Sequence, residues 1–136
     1  MDGPNVHKYL REFRQVLNEY DCFVVGEAPM MNEKNALRYI TEGPKQELDM
    51  MFHFEHMEAD CLFTDVFQKP FDLLKLKKAF SKWQYALAGK GWNALYLENH
   101  DHPRIISRYG SEEYRVVSGK MLANCYMLQR IGRAHV

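Results

Sequence analysis

Two carboxylates stand where chemistry would need them. Glu27 closes the run Cys22-Phe-Val-Val-Gly-Glu-Ala-Pro29 and Asp101 lies in Asn99-His-Asp-His-Pro-Arg104, each where an apolar stretch gives way to turn residues. Open α/β sheets and barrels mount their reactive groups at such strand ends. Two acids at one sheet edge are the apparatus for cleaving a glycosidic bond, in which one carboxyl protonates the departing oxygen and a second acts on the sugar carbon. Glu27 would fill the first role if partial burial raised its pKa towards neutrality. On composition alone it reads as an acid capping the helix that follows. Asp101 reads equally as a functional group or a turn aspartate, since Pro103 forces the residue before it into an extended conformation.

The elements that must position these acids follow from apolar spacing. Val6, Leu10, Phe13, Leu17 and Tyr20 step by four and three and predict a helix over 5–20 with those side chains inward. Cys22 to Val25, closed by Gly26, reads as a buried parallel-type strand. A helix over about 32–41 precedes the breaker Gly43-Pro44, and Met50 to Phe54 is the next strand. An irregular stretch over 57–71 leads to the N-cap candidate Asp72. The helix from there to 88 carries Leu73, Leu76, Phe80, Trp83 and Leu87 on one face and Lys75, Lys77, Lys78 and Lys82 on the other, read as solvated. Ala94 to Leu97 forms a third strand. A last helix over about 111–130 would turn Tyr114, Val117, Met121, Cys125 and Leu128 inward. This alternation predicts an α/β fold with right-handed crossovers and a parallel sheet covered by helices.

Composition removes several classes of function. With 136 residues the chain can build a real core, yet a closed (β/α)₈ barrel usually takes roughly 250. If it belongs to a barrel, it is a piece of one. The 18 basic and 18 acidic side chains cancel, which leaves no electrostatic footprint for nucleic acid or an anionic membrane. No apolar stretch is long enough to span a membrane and no signal-peptide core is present, so a cytoplasmic location is the expectation. Cys22, Cys61 and Cys125 are odd in number and widely spaced; they read as buried, reduced thiols. His53-Phe-Glu-His56 and His100-Asp-His102 invite a metal reading, but the spacing matches no common zinc site and hydrogen-bonded histidines are the simpler account. Trp83 fits the helix core register, and Trp92 stays open between packing and sugar stacking.

Three segments then carry a resemblance. Val24-Val-Gly-Glu-Ala-Pro29, Met51-Phe-His-Phe-Glu-His-Met57 and Trp92-Asn-Ala-Leu-Tyr-Leu-Glu-Asn-His-Asp-His-Pro-Arg-Ile-Ile-Ser-Arg-Tyr-Gly110 closely resemble the oligo-1,6-glucosidase and α-glucosidase branch of the α-amylase superfamily. Gly3-Pro-Asn-Val-His-Lys-Tyr-Leu10 and Ser118-Gly-Lys-Met-Leu122 resemble it in the same order. The resemblance implies a partial (β/α)₈ TIM barrel, about strands five to seven with flanking helices, over residues 1–130. Ile131-Gly-Arg-Ala-His-Val136 departs from it as an atypical tail. It implies that Glu27 is the acid/base catalyst, that Asp101 stabilises the transition state and that His100 contacts sugar hydroxyls.

Retention through a covalent glucosyl intermediate requires a nucleophilic aspartate. Asp2 does not match the family's motif for it, so the expectation is that the chain begins after that motif and is inactive alone. Four earlier strands, a calcium-binding insertion and a C-terminal β-domain also find no counterpart. No metal and no organic cofactor are expected, and the partner implied is an oligosaccharide with terminal α-linked glucose. Trehalose-6-phosphate hydrolase is the alternative within the superfamily. A sucrose isomerase fits less well, because Phe63-Thr-Asp-Val-Phe-Gln-Lys-Pro70 replaces its arginine-rich loop. The alternative of a different class is a non-catalytic sugar-binding or interaction fragment.

Overall fold

The computed structural model describes residues 3–62 and 67–129; the tail after 130 lies outside them. In chain order the elements are α1 (Val6–Leu17), β1 (Val25–Glu27), α2 (Glu33–Ile40), β2 (Met50–Phe52), a 3₁₀ turn (Glu55–Glu58), β3 (Cys61–Leu62), β4 (Phe67–Gln68), α3 (Leu73–Leu87), β5 (Trp92–Ala94), α4 (Ile105–Tyr109) and α5 (Arg115–Met127). β1, β2 and β5 form a parallel sheet in that order, and β3 pairs antiparallel with β4.

The sheet register decides which side chains meet. Val25, Met50 and Trp92 form one row, Gly26, Met51 and Asn93 the next, and Glu27, Phe52 and Ala94 the third. Side chains alternate along a strand, so the first and third rows share a face and the middle row turns to the helices. A Cβ on Gly26 would stand 2.6 Å from Leu48 Cδ1, so a larger residue there would push the buried Leu48 side chain aside. Behind the sheet, Ala36, Tyr39, Ile40, Leu48, Met51, Trp83 and Leu87 form one core cluster. A second joins Ala59, Leu76, Phe80, Leu95, Ile105, Tyr109 and Leu122.

α2 and α3 match their sequence signals. Asn32 accepts from Asn35 N–H at 2.9 Å and Asp72 from Lys75 N–H at 3.0 Å, each satisfying an N-terminal donor of its helix. Trp83 is wholly buried, with its indole N–H 2.9 Å from Glu55 and His53 stacked on its ring at 4.0 Å. The lysine face is more than solvated: Lys82 bridges Glu33 and Glu55 at 3.3 and 2.6 Å, and Lys75 donates to the Glu58 carbonyl. Leu73, expected inward, is exposed.

Strand positions are shifted. Residues 22–24 stay outside the strand, the Val24 N–H going to the Asp49 carboxylate and not to a strand carbonyl. β2 stops at Phe52, where the Phe54 carbonyl opens the 3₁₀ turn by accepting from Met57 N–H. The third strand runs over 92–94 and not 94–97, since side chains take the next carbonyls: Tyr126 O–H bonds Leu95 and the His56 ring bonds Tyr96. The stretch taken as irregular holds the 3₁₀ turn and the β3–β4 pair, with 63–66 outside the described residues.

The first helix keeps only part of its apolar stripe inward, and the last departs from its own. Phe13 and Tyr20 are exposed and no residue of α1 is fully buried. Val6 and Leu10 of the stripe do pack against the first core cluster, and beside them α1 is tied down through His7, Arg11 and Arg14: His7 and Arg11 each reach the buried Glu47 at 2.8 Å, and Arg14 grips Asp49 with two bonds of 2.8 and 2.9 Å. At the other end the 111–130 helix gives way to α4 and a shorter α5. Tyr114, Val117, Met121 and Leu128 are exposed, while Ser118 and Leu122 pack inward with Cys125 and Tyr126 half-buried. The reason is local. Ser118 hydroxyl accepts from Ser111 N–H at 3.0 Å and fixes the helix with that edge inward. Of the thiols, all free, Cys61 is buried and Cys125 half-buried, but Cys22 is exposed in the connection ahead of β1.

Candidate active site

Glu27 is the last residue of β1 and Phe52 the last of β2, directly paired. Two residues beyond β5 on the same alternation comes Tyr96. These strand ends and the loop after β5 enclose a cavity of about 240 Å³ lined by Glu27, Phe52, Phe54, Tyr96, Glu98, Asn99 and His100. Its volume equals on the order of eight waters at liquid density and falls below the roughly 300–1,000 Å³ of drug-sized sites. That is the scale of a single sugar ring. Phe52, Phe54 and Tyr96 give it an apolar wall, with Glu27 at the end of one edge strand and Glu98, Asn99 and His100 in the loop after the other.

Of the residues singled out from sequence, Glu27 and His100 are brought to this one cavity. Asp101 does not line it. Its carboxylate lies 3.2 Å from His100 Nε2, and both side chains are exposed. Asp101 N–H donates to Asn99 Oδ1 at 3.1 Å, an Asx turn that shapes the loop. Both carboxylates act on Tyr96: its hydroxyl pKa is pushed up by burial first and by the charge of Glu27 next, against the lowering effect of Arg108, with Asp101 adding to the rise. Glu27 itself is exposed, contrary to the partial burial its acid role invited, because no described element covers this face of the sheet.

The loop is held by residues the sequence reading passed over. Glu98 accepts from Arg104 Nη1 at 2.5 Å and from Ile105 N–H at 3.0 Å, clasping the loop from one end to the other. The Ile105 N–H and then the Arg104 guanidinium hold its carboxyl below the usual range. Below the loop, Arg108 makes two bonds to Asp60, at 2.5 and 3.0 Å, and a third to the Met57 carbonyl at 2.7 Å. Tyr109 O–H donates to the His56 carbonyl at 2.7 Å. α4 is thereby locked to the 3₁₀ turn. An acid six residues before an arginine is the signal that could have found the clasp; Phe52, Phe54 and Tyr96 carried none, because aromatic residues in a strand read as core.

His53 and His56 are fully buried, and burial depresses their pKa to about 2 and about 4. Both are therefore neutral. His56 Nε2 lies 2.6 Å from the Tyr96 carbonyl, which makes this ring a support for the cavity wall. Among the described residues no three side chains are grouped to hold a metal ion. No described helix is long and apolar enough to cross a membrane.

Carboxylate-bearing loops at the carboxyl ends of parallel strands, with helices behind, are the arrangement that open α/β sheets and β/α-barrels share. Residues 1–134 match the alpha amylase catalytic domain. The chain is 47% identical over 133 residues to an oligo-1,6-glucosidase of Parageobacillus thermoglucosidasius, covering 95% of this chain and 24% of that protein. It is 45% identical to a trehalose-6-phosphate hydrolase of Bacillus subtilis, covering 94% of this chain and 24% of that one. The crystal structure of the Bacillus licheniformis trehalose-6-phosphate hydrolase superposes with a TM-score of 0.87 at 44% identity, over 96% of this chain and 24% of the other. The chain belongs to the alpha-amylase catalytic-domain family, and its fold is a fragment of the family's TIM barrel. It spans about a quarter of the length of the curated relatives it matches.

Proposed function

We propose that the chain contributes strands five to seven of a retaining α-glucosidase that removes terminal α-linked glucose, of isomaltose α-1,6 or α-1,4 type, from short oligosaccharides in the cytoplasm. The observation that carries this reading is the convergence of Glu27, Asn99 and His100 on one cavity at the carboxyl ends of three parallel strands. Glu27 is the acid/base: it protonates the glycosidic oxygen as the bond breaks, then takes a proton from the water that releases glucose. Its exposure on the uncovered sheet face leaves the carboxyl open to a substrate oxygen. Asp101 stabilises the charged, distorted ring, and His100 at 3.2 Å from it hydrogen-bonds ring hydroxyls. The nucleophile comes from outside these residues, so the 136 residues alone bind sugar without turning it over.

The likeness to trehalose-6-phosphate hydrolases at nearly the same identity supports a second substrate, trehalose 6-phosphate, for the same residues. A segment exchange decides between them. This chain replaces the corresponding quarter of the Parageobacillus relative, and release of glucose from isomaltose, maltose and trehalose 6-phosphate is followed by NMR, which also reports the anomer formed. Turnover of isomaltose or maltose to α-glucose is expected. Faster turnover of trehalose 6-phosphate favours the second substrate. A folded chimera that cleaves none of the three contradicts the hydrolase reading and leaves the chain a sugar-binding or interaction fragment.

A further inference from the structure

The loop after β5 owes its shape and its placement to different bonds. Within it, Glu98 ties the Arg104 guanidinium to the Ile105 N–H, and Asn99 accepts from the Asp101 N–H; these contacts shape the loop. Its placement is fixed at both ends, and both ends reach one short segment. At the start, the Tyr96 carbonyl accepts from His56 Nε2 at 2.6 Å. At the end, in α4, Tyr109 O–H donates to the His56 carbonyl at 2.7 Å, while Arg108 donates to the Met57 carbonyl at 2.7 Å and to Asp60 at 2.5 and 3.0 Å. The segment is in turn anchored on α3. Trp83 N–H donates to Glu55 at 2.9 Å, Lys75 to the Glu58 carbonyl, and the Asp72 N–H, at the helix cap, to the Ala59 carbonyl at 2.8 Å.

The pair of Asp60 and Arg108 is the directional part of this frame. Each carboxylate oxygen takes a different guanidinium nitrogen, Nε to one and Nη2 to the other, and such paired bonds fix an orientation as well as a distance. Only 6% of the Arg108 side chain and 14% of that of Asp60 are exposed. An ion pair so enclosed loses hydration on both sides and is a weak source of net stability, so its contribution here is geometry. We infer that Asp60 is a positioning residue: through Arg108 it sets where the loop holds Asp101 and His100 relative to Glu27. This deepens the proposed glucosidase site and rests on it.

The test uses Asp60→Asn, which keeps the size and one acceptor oxygen and removes the charge and the second bond. In the 136-residue chain, amide exchange followed by NMR is expected to quicken at Ile105, bonded to Glu98, at least about tenfold more than at Ala36, bonded to the Asn32 carbonyl at the start of α2. The same acceleration at both amides, or at neither, overturns the inference, because Asp60 then serves the whole fold or does not hold the loop. In the segment-exchange chimera, Asp60→Asn is expected to lower kcat for isomaltose about tenfold, and by no more than about threefold where Asp101→Asn is already present, since a residue acting through Asp101 is not additive with it. An equal loss in the two backgrounds, as a merely structural residue would give, overturns the inference alone. An unsubstituted chimera that folds and cleaves none of the three substrates overturns the hydrolase reading and the role of Asp60 together.

Discussion

The two faces of the three-stranded sheet differ in kind. The helix-facing row of Gly26, Met51 and Asn93 lies against α2 and α3, with Met51 and Asn93 buried and Trp83 wholly enclosed behind them. On the opposite face Phe23, Val25 and Trp92 are exposed at the strand starts, and Glu27, Phe52 and Tyr96 frame the cavity at the strand ends. One face is closed by helices; on the other Met50 and Ala94 are buried while Val25, Trp92 and Glu27 are exposed. The lesson is that in this segment a substitution should cost either folding or binding according to the parity of its position along the strand.

The largest effect is expected on the closed face. Trp83→Ala removes a fully buried indole, the stacking partner of His53 and the donor to Glu55. A loss of about 3–5 kcal/mol is expected by denaturant unfolding. A loss under about 1 kcal/mol would erase the contrast between the faces. Glu47→Ala comes next. It strips the buried acceptor from His7 and Arg11, but Arg11 is half exposed and can turn to water, so about 1–3 kcal/mol is expected.

Acid sharpens the comparison, because the buried histidines lie between the faces. His56 and His53 have folded values depressed to about 4 and about 2 against 6.5, so the unfolded chain binds more protons below pH 6.5. Their contribution is fully present above 6.5 and is lost as pH falls, through about 4 for His56 and about 2 for His53. Asp49 acts in the same direction at lower pH, its pKa held down by the Arg14 bonds first, with the Val24 N–H aiding against burial. Stability is expected to fall steadily from pH 6.5 to 4, and His56→Gln to flatten that slope. An unchanged slope would show that His56 takes up its proton without opening the fold.

Smaller still is the expected effect of Glu98→Ala. The clasp to Arg104 is partly exposed, so a loss of no more than about 1 kcal/mol in stability is expected. In the segment-exchange chimera the same change is expected to lower kcat for isomaltose at least tenfold, by loosening the loop that presents His100 and Asp101. Glu98→Gln, which keeps an acceptor for the Ile105 N–H, should recover part of the loss. Equal kcat for all three would make the clasp irrelevant to the site.

Sequence legibility follows the same division. α3 was readable because its stripe of Leu76, Phe80, Trp83 and Leu87 meets core on the side its periodicity names. α1 has as regular a stripe, of which Val6 and Leu10 meet the core, yet it is also held by His7, Arg11 and Arg14 against acids 35 to 40 residues away, a pairing that local spacing cannot reveal. In α5 the small Ser118 marks the inward edge, and a hydrophobicity pattern overlooks serine. Glu27 and His100 were reached through motif wording, and the cavity brings them together. Phe52, Phe54 and Tyr96 carry no such signal, because an aromatic residue in a strand reads as core.

The central claim is that Glu27 on the open face is the proton donor. The direct measurement compares Glu27→Gln with the unsubstituted chimera on isomaltose and on a 2,4-dinitrophenyl glucoside, whose leaving group needs no proton. The account expects kcat/KM for isomaltose to fall by about 10²–10⁴, glucosyl-enzyme formation from the activated glucoside to fall far less, and stability to stay within about 0.5 kcal/mol. Equal losses on both substrates, or a loss that follows unfolding, would contradict it.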